Sequence, residues 1–339
     1  MAMIRQQPLM IRHSDREAGI YAVFTADGWL YRYDCKVGEW LRIAALPMIA
    51  EDGGSIRIDY HHPYVCVSQR YGLRCAVVHL QTGSVRNYSR EDYHAAVSSY
   101  AVCFVEHGGR CLFIHQTHWN RLAVSDPQTG ECLSVCADDG GHPDDYDYFH
   151  SLLQPSPDGK LILSNGWIWH PIGMIYGFTV EQLLEGRLPE RFQADYESDA
   201  DWDRPCAFVG SDQFVIATDD IPAFGDEDGE DSRCQLWYFK PDDSPGRSRR
   251  LRPHRKVRFD GFMKNAEGCA IGTLSFDRAL NVLIAISGDE CHLLSPDGDV
   301  LSHLAALPAA QTIPWQYNEV DQCLYKWNCG AVVTEDIGG

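Results

Sequence analysis

The tightest constraint on this chain is a rhythm of apolar runs about four to eight residues long, each closed by Gly, Asp or Pro. The clearest group has apolar runs at 100–105, 111–115, 121–125 and 132–136. Its turns are His107-Gly108-Gly109 and Asp126-Pro127-Gln128-Thr129-Gly130. Four strand-length runs joined by turn residues make an antiparallel meander.

The grouping recurs, with successive groups beginning near residues 20, 55, 100, 149, 206, 269 and 312. A period of roughly 40–50 residues with about four strands is that of a β-propeller rather than of a sandwich or solenoid. The expected fold is therefore all-β, a single β-propeller over 1–339, with seven blades. Six blades is the alternative, because the first and last groups are incomplete, and two packed β domains split near 195–203 is the runner-up. The last group is one strand short, and residues 8–13 (PLMIRH) are the expected donor that closes the ring and hides its edges. Insertions are expected at 180–203, 219–232 and 241–256. The first of these opens with helical spacing at 180–186 and a stopping glycine.

The turns LQTGS at 80–84, DPQTGE at 126–131, SPDGK at 156–160 and SPDGD at 295–299 resemble those of bacterial WD40-like and YVTN-type propellers. The resemblance covers nearly the whole chain at the level of turns. It implies the propeller fold.

Composition narrows the partners. The 48 Asp and Glu against 29 Lys and Arg give a formal charge of −19, so the mean field repels phosphate and anionic lipid. Nucleic acid is not expected as a direct partner, and a basic protein is favoured. No apolar run approaches the roughly 18–20 residues that span a bilayer, so no membrane contact is expected. The N-terminal residues lack the apolar core of a secretory signal. Several of the 13 cysteines sit inside apolar strand patterns, as Cys66, Cys103 and Cys111 do. Reduced thiols in strands fit a cytoplasmic protein. The basic strip Arg247 to Arg258 reads as a solvated edge or a local partner of the acidic segment 219–232, which carries seven acidic residues.

In a propeller, loops entering each innermost strand and loops joining second to third strands emerge on one face. Sorted in this way, that face collects Tyr93, His94, His118, Trp119, Arg121, Tyr148, His150, Trp167, Trp169, His170, Trp202 and Arg204. Trp, Tyr and Arg on loops held by a rigid scaffold form the composition of a binding hot spot. The competing account has Trp and Arg locking neighbouring blades together. A metal site would draw on His115, His118, His150 and His170. No nucleophile elbow, P-loop, dinucleotide fingerprint or H-E-x-x-H occurs, so no catalytic residue and no cofactor is assigned. The expected function is a non-catalytic interaction propeller, a subunit of an assembly or an immunity-type inhibitor. A metal-assisted hydrolase or lyase and a sugar- or small-ligand-binding propeller are the alternatives.

Overall fold

Side chains of a strand point alternately to two faces, yet Ile20–Thr25 and Tyr64–Gln69 are buried along their whole length. Such strands need a packing layer on each side. The structure, a computed structural model, supplies it: the chain is an all-β, seven-bladed propeller. The described residues are 8–51, 54–135, 147–169, 171–186, 191–194, 198–199, 202–219, 234–241, 249–264, 270–304, 307, 313–328 and 330–337. His170, most of the expected insertion at 219–232 and residues 242–248 lie outside them. The chain forms two compact units. One is Met1–Leu152 with Leu183–Gly186 and Ala310–Gly339, and the other is Leu153–Gln182 with Arg187–Ala309.

The first unit holds blades one, two, three and seven. Blade one is Pro8–His13, Ile20–Thr25, Trp29–Asp34 and Glu39–Ala45 in spatial order. Its second strand shows why the run is continuously apolar. Ala22 and Phe24 pack with Ile58, Val65 and Val67 of blade two, while Tyr21 and Val23 pack with Tyr325 and Trp327 of blade seven.

The N-terminal strand closes against blade seven, but from within blade one. Pro8–His13 pairs with Ile20–Thr25, and blade seven keeps the three strands Gln316–Asn318, Cys323–Asn328 and Ala331–Asp336. Ser14 is the cause: its Oγ accepts from Arg16 N and Glu17 N, turning the chain back onto its own neighbour. Side chains then make the closure. Gln316 Nε2 donates to the Ile11 carbonyl at 3.2 Å, and Gly19 N donates to Asp321 Oδ2 at 2.8 Å.

Blade three is Val102–His107, Arg110–His118 and Arg121–Ser125. Of the fourth strand expected at 132–136, the described residues 132–135 show a single bridge between Ser125 and Cys132. There Val124 N donates to Ser134 Oγ at 3.2 Å, a local bond that competes with the ladder.

The second unit holds blades five and six and most of blade four. The strands Leu161–Ile168, Ile172–Thr179 and Phe192–Ala194 belong to blade four, and the helix Val180–Leu184 precedes its outer strand. A capping box starts that helix: Gln182 N donates to Thr179 Oγ1 at 3.1 Å, and Thr179 N donates to Gln182 Oε1 at 2.9 Å. Blade five is Cys206–Phe208, Phe214–Asp219, Cys234–Phe239 and Arg255–Arg258. The C-terminal part of the basic strip is thus an outer strand rather than an insertion, and Arg249–Leu251 pairs parallel with Phe192–Ala194. Its charges are met locally, Arg258 by Asp260 at 2.7 Å, Arg255 by Asp297, and Lys256 by the Trp237 ring at 3.5 Å.

Blade six is Thr273–Asp277, Val282–Ser287, Glu290–Leu294 and Val300–Leu304. The run expected at 269–276 breaks at Gly272, whose φ of +150° suits glycine alone. Ala270–Ile271 consequently pairs with Met263–Lys264. Between blades four and five, Phe214 stacks on Phe239 at 5.1 Å and on Phe192 at 5.7 Å, fully buried.

The repeated turns share one chemistry. In SPDGK the Ser156 carbonyl accepts from Gly159 N at 2.9 Å and its Oγ from Leu161 N at 2.9 Å. In SPDGD the Ser295 carbonyl accepts from Gly298 N at 2.9 Å, and its Oγ from Asp299 N at 3.0 Å. Gly159 and Gly298 both have positive φ, which the turn requires.

The ten cysteines among the described residues are free thiols. Burial pushes Cys111, Cys206 and Cys291 up to about 12, so they act as small apolar side chains rather than nucleophiles. Among the described residues, no helix is long and apolar enough to cross a membrane.

Candidate functional site

Ring contacts gather several of the sequence candidates into one aromatic cluster in each unit. In the first unit the connection from blade two to blade three is fixed from below by Arg90, which is 6% exposed. Its Nε donates to the Gly72 carbonyl at 2.9 Å, and its Nη1 to Gln116 Oε1 at 2.8 Å and the Ser99 carbonyl at 3.3 Å. Its Nη2 donates to the carbonyls of Ala95 at 2.9 Å and Ser98 at 2.8 Å. The Tyr100 ring lies 4.9 Å from the guanidinium. A planar, five-donor fork is the side chain suited to hold so many carbonyls at once.

This staple fixes an unusual backbone. His94 has φ 55° and ψ 20°, left-handed, and leads into the short 3-10 turn Ala95–Val97. Non-glycine residues seldom hold that conformation unless their surroundings impose it. Its effect is to raise Tyr93 and Val97 to the surface, 49% and 46% exposed.

Tyr93 rests on a rigid base. Its ring is 4.5 Å from His94, 5.8 Å from Trp119 and 5.9 Å from Phe149, stacked on the last at 23°. Trp119 and Phe149 are themselves 4.4 Å apart. Glu91 ties the loop to the neighbouring turn, since its Oε1 accepts from Trp119 N at 2.8 Å and its N donates to the Thr117 carbonyl at 3.1 Å. Asp92 beside it is exposed. An accessible tyrosine next in the chain to an exposed carboxylate is chemically matched to a cation presented with apolar surface.

In the second unit Trp167 stacks on Trp202 at 5.1 Å and 25°, and on Trp169 at 6.3 Å and 27°. Trp167 is buried at 3% exposure, and Trp169 caps the stack at 44%. Trp167 lies inside Leu161–Ile168, in a strand rather than in the loop expected at 165–171. Beneath it, Asn165 Nδ2 donates to the Arg204 carbonyl at 2.8 Å, and Arg204 Nη1 donates to Thr218 Oγ1 at 2.9 Å. Arg204 is 3% exposed, so it locks strands together and is not available for docking.

Other candidates also move inward. Tyr148 and His150 are 0% and 2% exposed, with their rings 5.1 Å apart, and His150 N donates to the Trp119 carbonyl at 3.0 Å. They support the Tyr93 cluster from within and present no surface. Arg121 pairs in register with His118 beside the cluster, outside the stacked group.

Of the candidate metal ligands His115, His118, His150 and His170, the last lies outside the described residues, and the other three form no metal-like group among them. The strand Arg110–His118 extends further than its apolar run suggested, so His115 lies in a sheet, buried, with its Nε2 3.0 Å from Ser125 Oγ. Burial pulls its pKa down to about 4. His118 is exposed, its Nδ1 3.1 Å from Thr117 Oγ1. The metal-like grouping that does occur among the described residues is Glu290, His292 and His303 on blade six.

Arg90, Glu91, Gln116 and Phe149 were not singled out from sequence. For Arg90 the available signal was an arginine directly after an outer strand and ahead of a loop with no regular pattern.

No family model matches the chain, and no curated protein matches it in sequence. Many solved structures share its fold. The β-propeller domain of Cps50 (Swd1) from Myceliophteria thermophila is 11% identical, covers 94% of this chain and 92% of its own, and superposes with a TM-score of 0.58. The Pan2 WD40 domain of Neurospora crassa is 12% identical, with 94% and 85% covered and a TM-score of 0.56. Kuenenia stuttgartiensis hydrazine synthase is 10% identical, with 98% and 96% covered and a TM-score of 0.62. The chain therefore shares the β-propeller fold of these structures.

Proposed function

We propose that this protein works by docking a basic protein partner on the Tyr93 platform, without chemistry of its own. The observation that carries the reading is the position of Tyr93, half exposed on a stack of His94, Trp119 and Phe149 whose loop is stapled by Arg90. A large aromatic surface held rigid before binding loses little entropy on association. Glu91, Asp92 and the net charge of −19 favour a partner carrying Arg or Lys, and steer its approach. A subunit of an assembly or an immunity-type inhibitor fits this surface. The free thiols, several of them buried in strands, suit a cytoplasmic setting.

Selection of the folded protein against displayed peptides of mixed charge tests the reading. The expected ligands are basic peptides with aliphatic or aromatic residues, whose binding weakens at least about 10-fold in Tyr93→Ala and falls with added salt. Ligands without a basic bias, or equal binding to Tyr93→Ala, would contradict it.

The stacked Trp167, Trp169 and Trp202 favour a second reading, a flat sugar or small ligand placed on Trp169. Quenching of tryptophan fluorescence across a sugar panel, abolished in Trp169→Ala, tests it.

A further inference from the structure

His292 and His303 face each other directly across the two outer strands of blade six, Glu290–Leu294 and Val300–Leu304. Their imidazoles stack 4.1 Å apart at 8°. Glu290 sits at the start of the first strand, its Oε2 3.5 Å from His303 Nε2. One ligand atom from each of the three side chains lies within 4.8 Å of the other two.

The surroundings hold His292 in place. It is 9% exposed, with Phe259 edge-on at 5.2 Å. Gly261 leaves the room its ring needs, since a Cβ there would lie 2.9 Å from His292 Cε1. Its Nδ1 is buried without a hydrogen-bond partner. A buried imidazole nitrogen without a partner is an unusual expense in a folded protein and calls for a ligand.

We infer that Glu290, His292 and His303 form a binding site for a divalent transition-metal ion of the zinc class. Two imidazoles and one carboxylate are donors of the right type. Metal–nitrogen bonds of about 2.0–2.1 Å in tetrahedral geometry place donors roughly 3.3 Å apart. Rotation of the half-exposed Glu290 and His303 side chains would bring the present separations to that value. Solvent fills the fourth position. The ion ties the exposed outer strand, Val300–Leu304, to the strand inside it and so stiffens an otherwise open edge. The inference is independent of the docking reading, which uses other residues.

The test uses the full chain, purified without a histidine tag and stripped of metal by chelation. Zinc chloride is titrated calorimetrically into wild type, His303→Ala and Glu290→Gln, and cobalt chloride is followed by its visible ligand-field bands. Wild type is expected to bind one more equivalent than His303→Ala, with bands of four-coordinate cobalt. Glu290→Gln is expected to keep that equivalent with about 10–100-fold weaker affinity. Thermal midpoints of the stripped proteins check folding, and both substitutions lie at exposed positions. Equal stoichiometry and affinity in all three proteins, or cobalt bands unchanged in His303→Ala, would overturn the inference. Should His303→Ala fail to fold, the same comparison with His303→Phe, which keeps the stacked ring, decides it.

Discussion

The guanidinium of Arg90 donates to the side-chain carbonyl of Gln116 at 2.8 Å, joining the loop that enters blade three to that blade's second strand. Gln116 passes the link on, since its Nε2 donates to the Trp119 carbonyl at 3.2 Å. The two loops that frame Tyr93 are thus fastened to one buried pair. The first expected outcome is that Arg90→Ala lowers unfolding free energy by about 3 kcal/mol, because several buried carbonyls lose their donor together. Arg90→Lys should recover only part of it, as a single ammonium cannot reach all of them. Urea midpoints of the three proteins measure both effects.

Trp167 and Tyr93 should separate structure from function. Trp167→Ala removes a buried ring and is expected to cost about 3–5 kcal/mol. Tyr93→Ala removes an exposed one and should leave stability within about 1 kcal/mol of wild type. The same urea series, run with both variants, gives the comparison.

His115 makes stability fall in mild acid. Its folded pKa is about 4 and its unfolded value near 6.5, so below pH 6.5 the unfolded chain takes up a proton that the folded chain refuses. Its contribution is complete above pH 6.5, declines as the pH drops toward about 4, and changes little beyond. The loss over that window is up to about 3 kcal/mol. Unfolding at pH 7.0 and 4.5 should therefore differ less in His115→Gln than in wild type.

The fold was legible because its signals are local. Turn residues such as Ser156 and Gly159 fix each hairpin by bonds within a few positions, and the apolar runs between them, as at residues 20–25, report two-sided burial directly. The place of Pro8–His13 was not legible, because pairing with the next strand or with the last is decided by the Ser14 turn against a partner some 300 residues away. The site was half legible. Sorting loops by face named Tyr93, His94 and Trp119, and likewise Trp167, Trp169 and Trp202, and within each unit these rings are in contact. Depth along a strand was the missing quantity. Tyr148, His150, Trp167 and Arg204 are as polar or aromatic as their exposed neighbours, and only the packed sheet reveals that they face inward. The pairing of His292 with His303 depends on register across a turn, which composition does not carry.

The central claim is that Tyr93 lies in the docking surface, and site-specific photo-crosslinking measures it most directly. A benzophenone amino acid replaces Tyr93 in one protein and Val37, an exposed turn residue 67% accessible, in another, each expressed in the native cells. The account predicts a discrete adduct with one basic protein from position 93 and none of that mass from position 37. An absence of any adduct from position 93, or the same adducts from both positions, would contradict it.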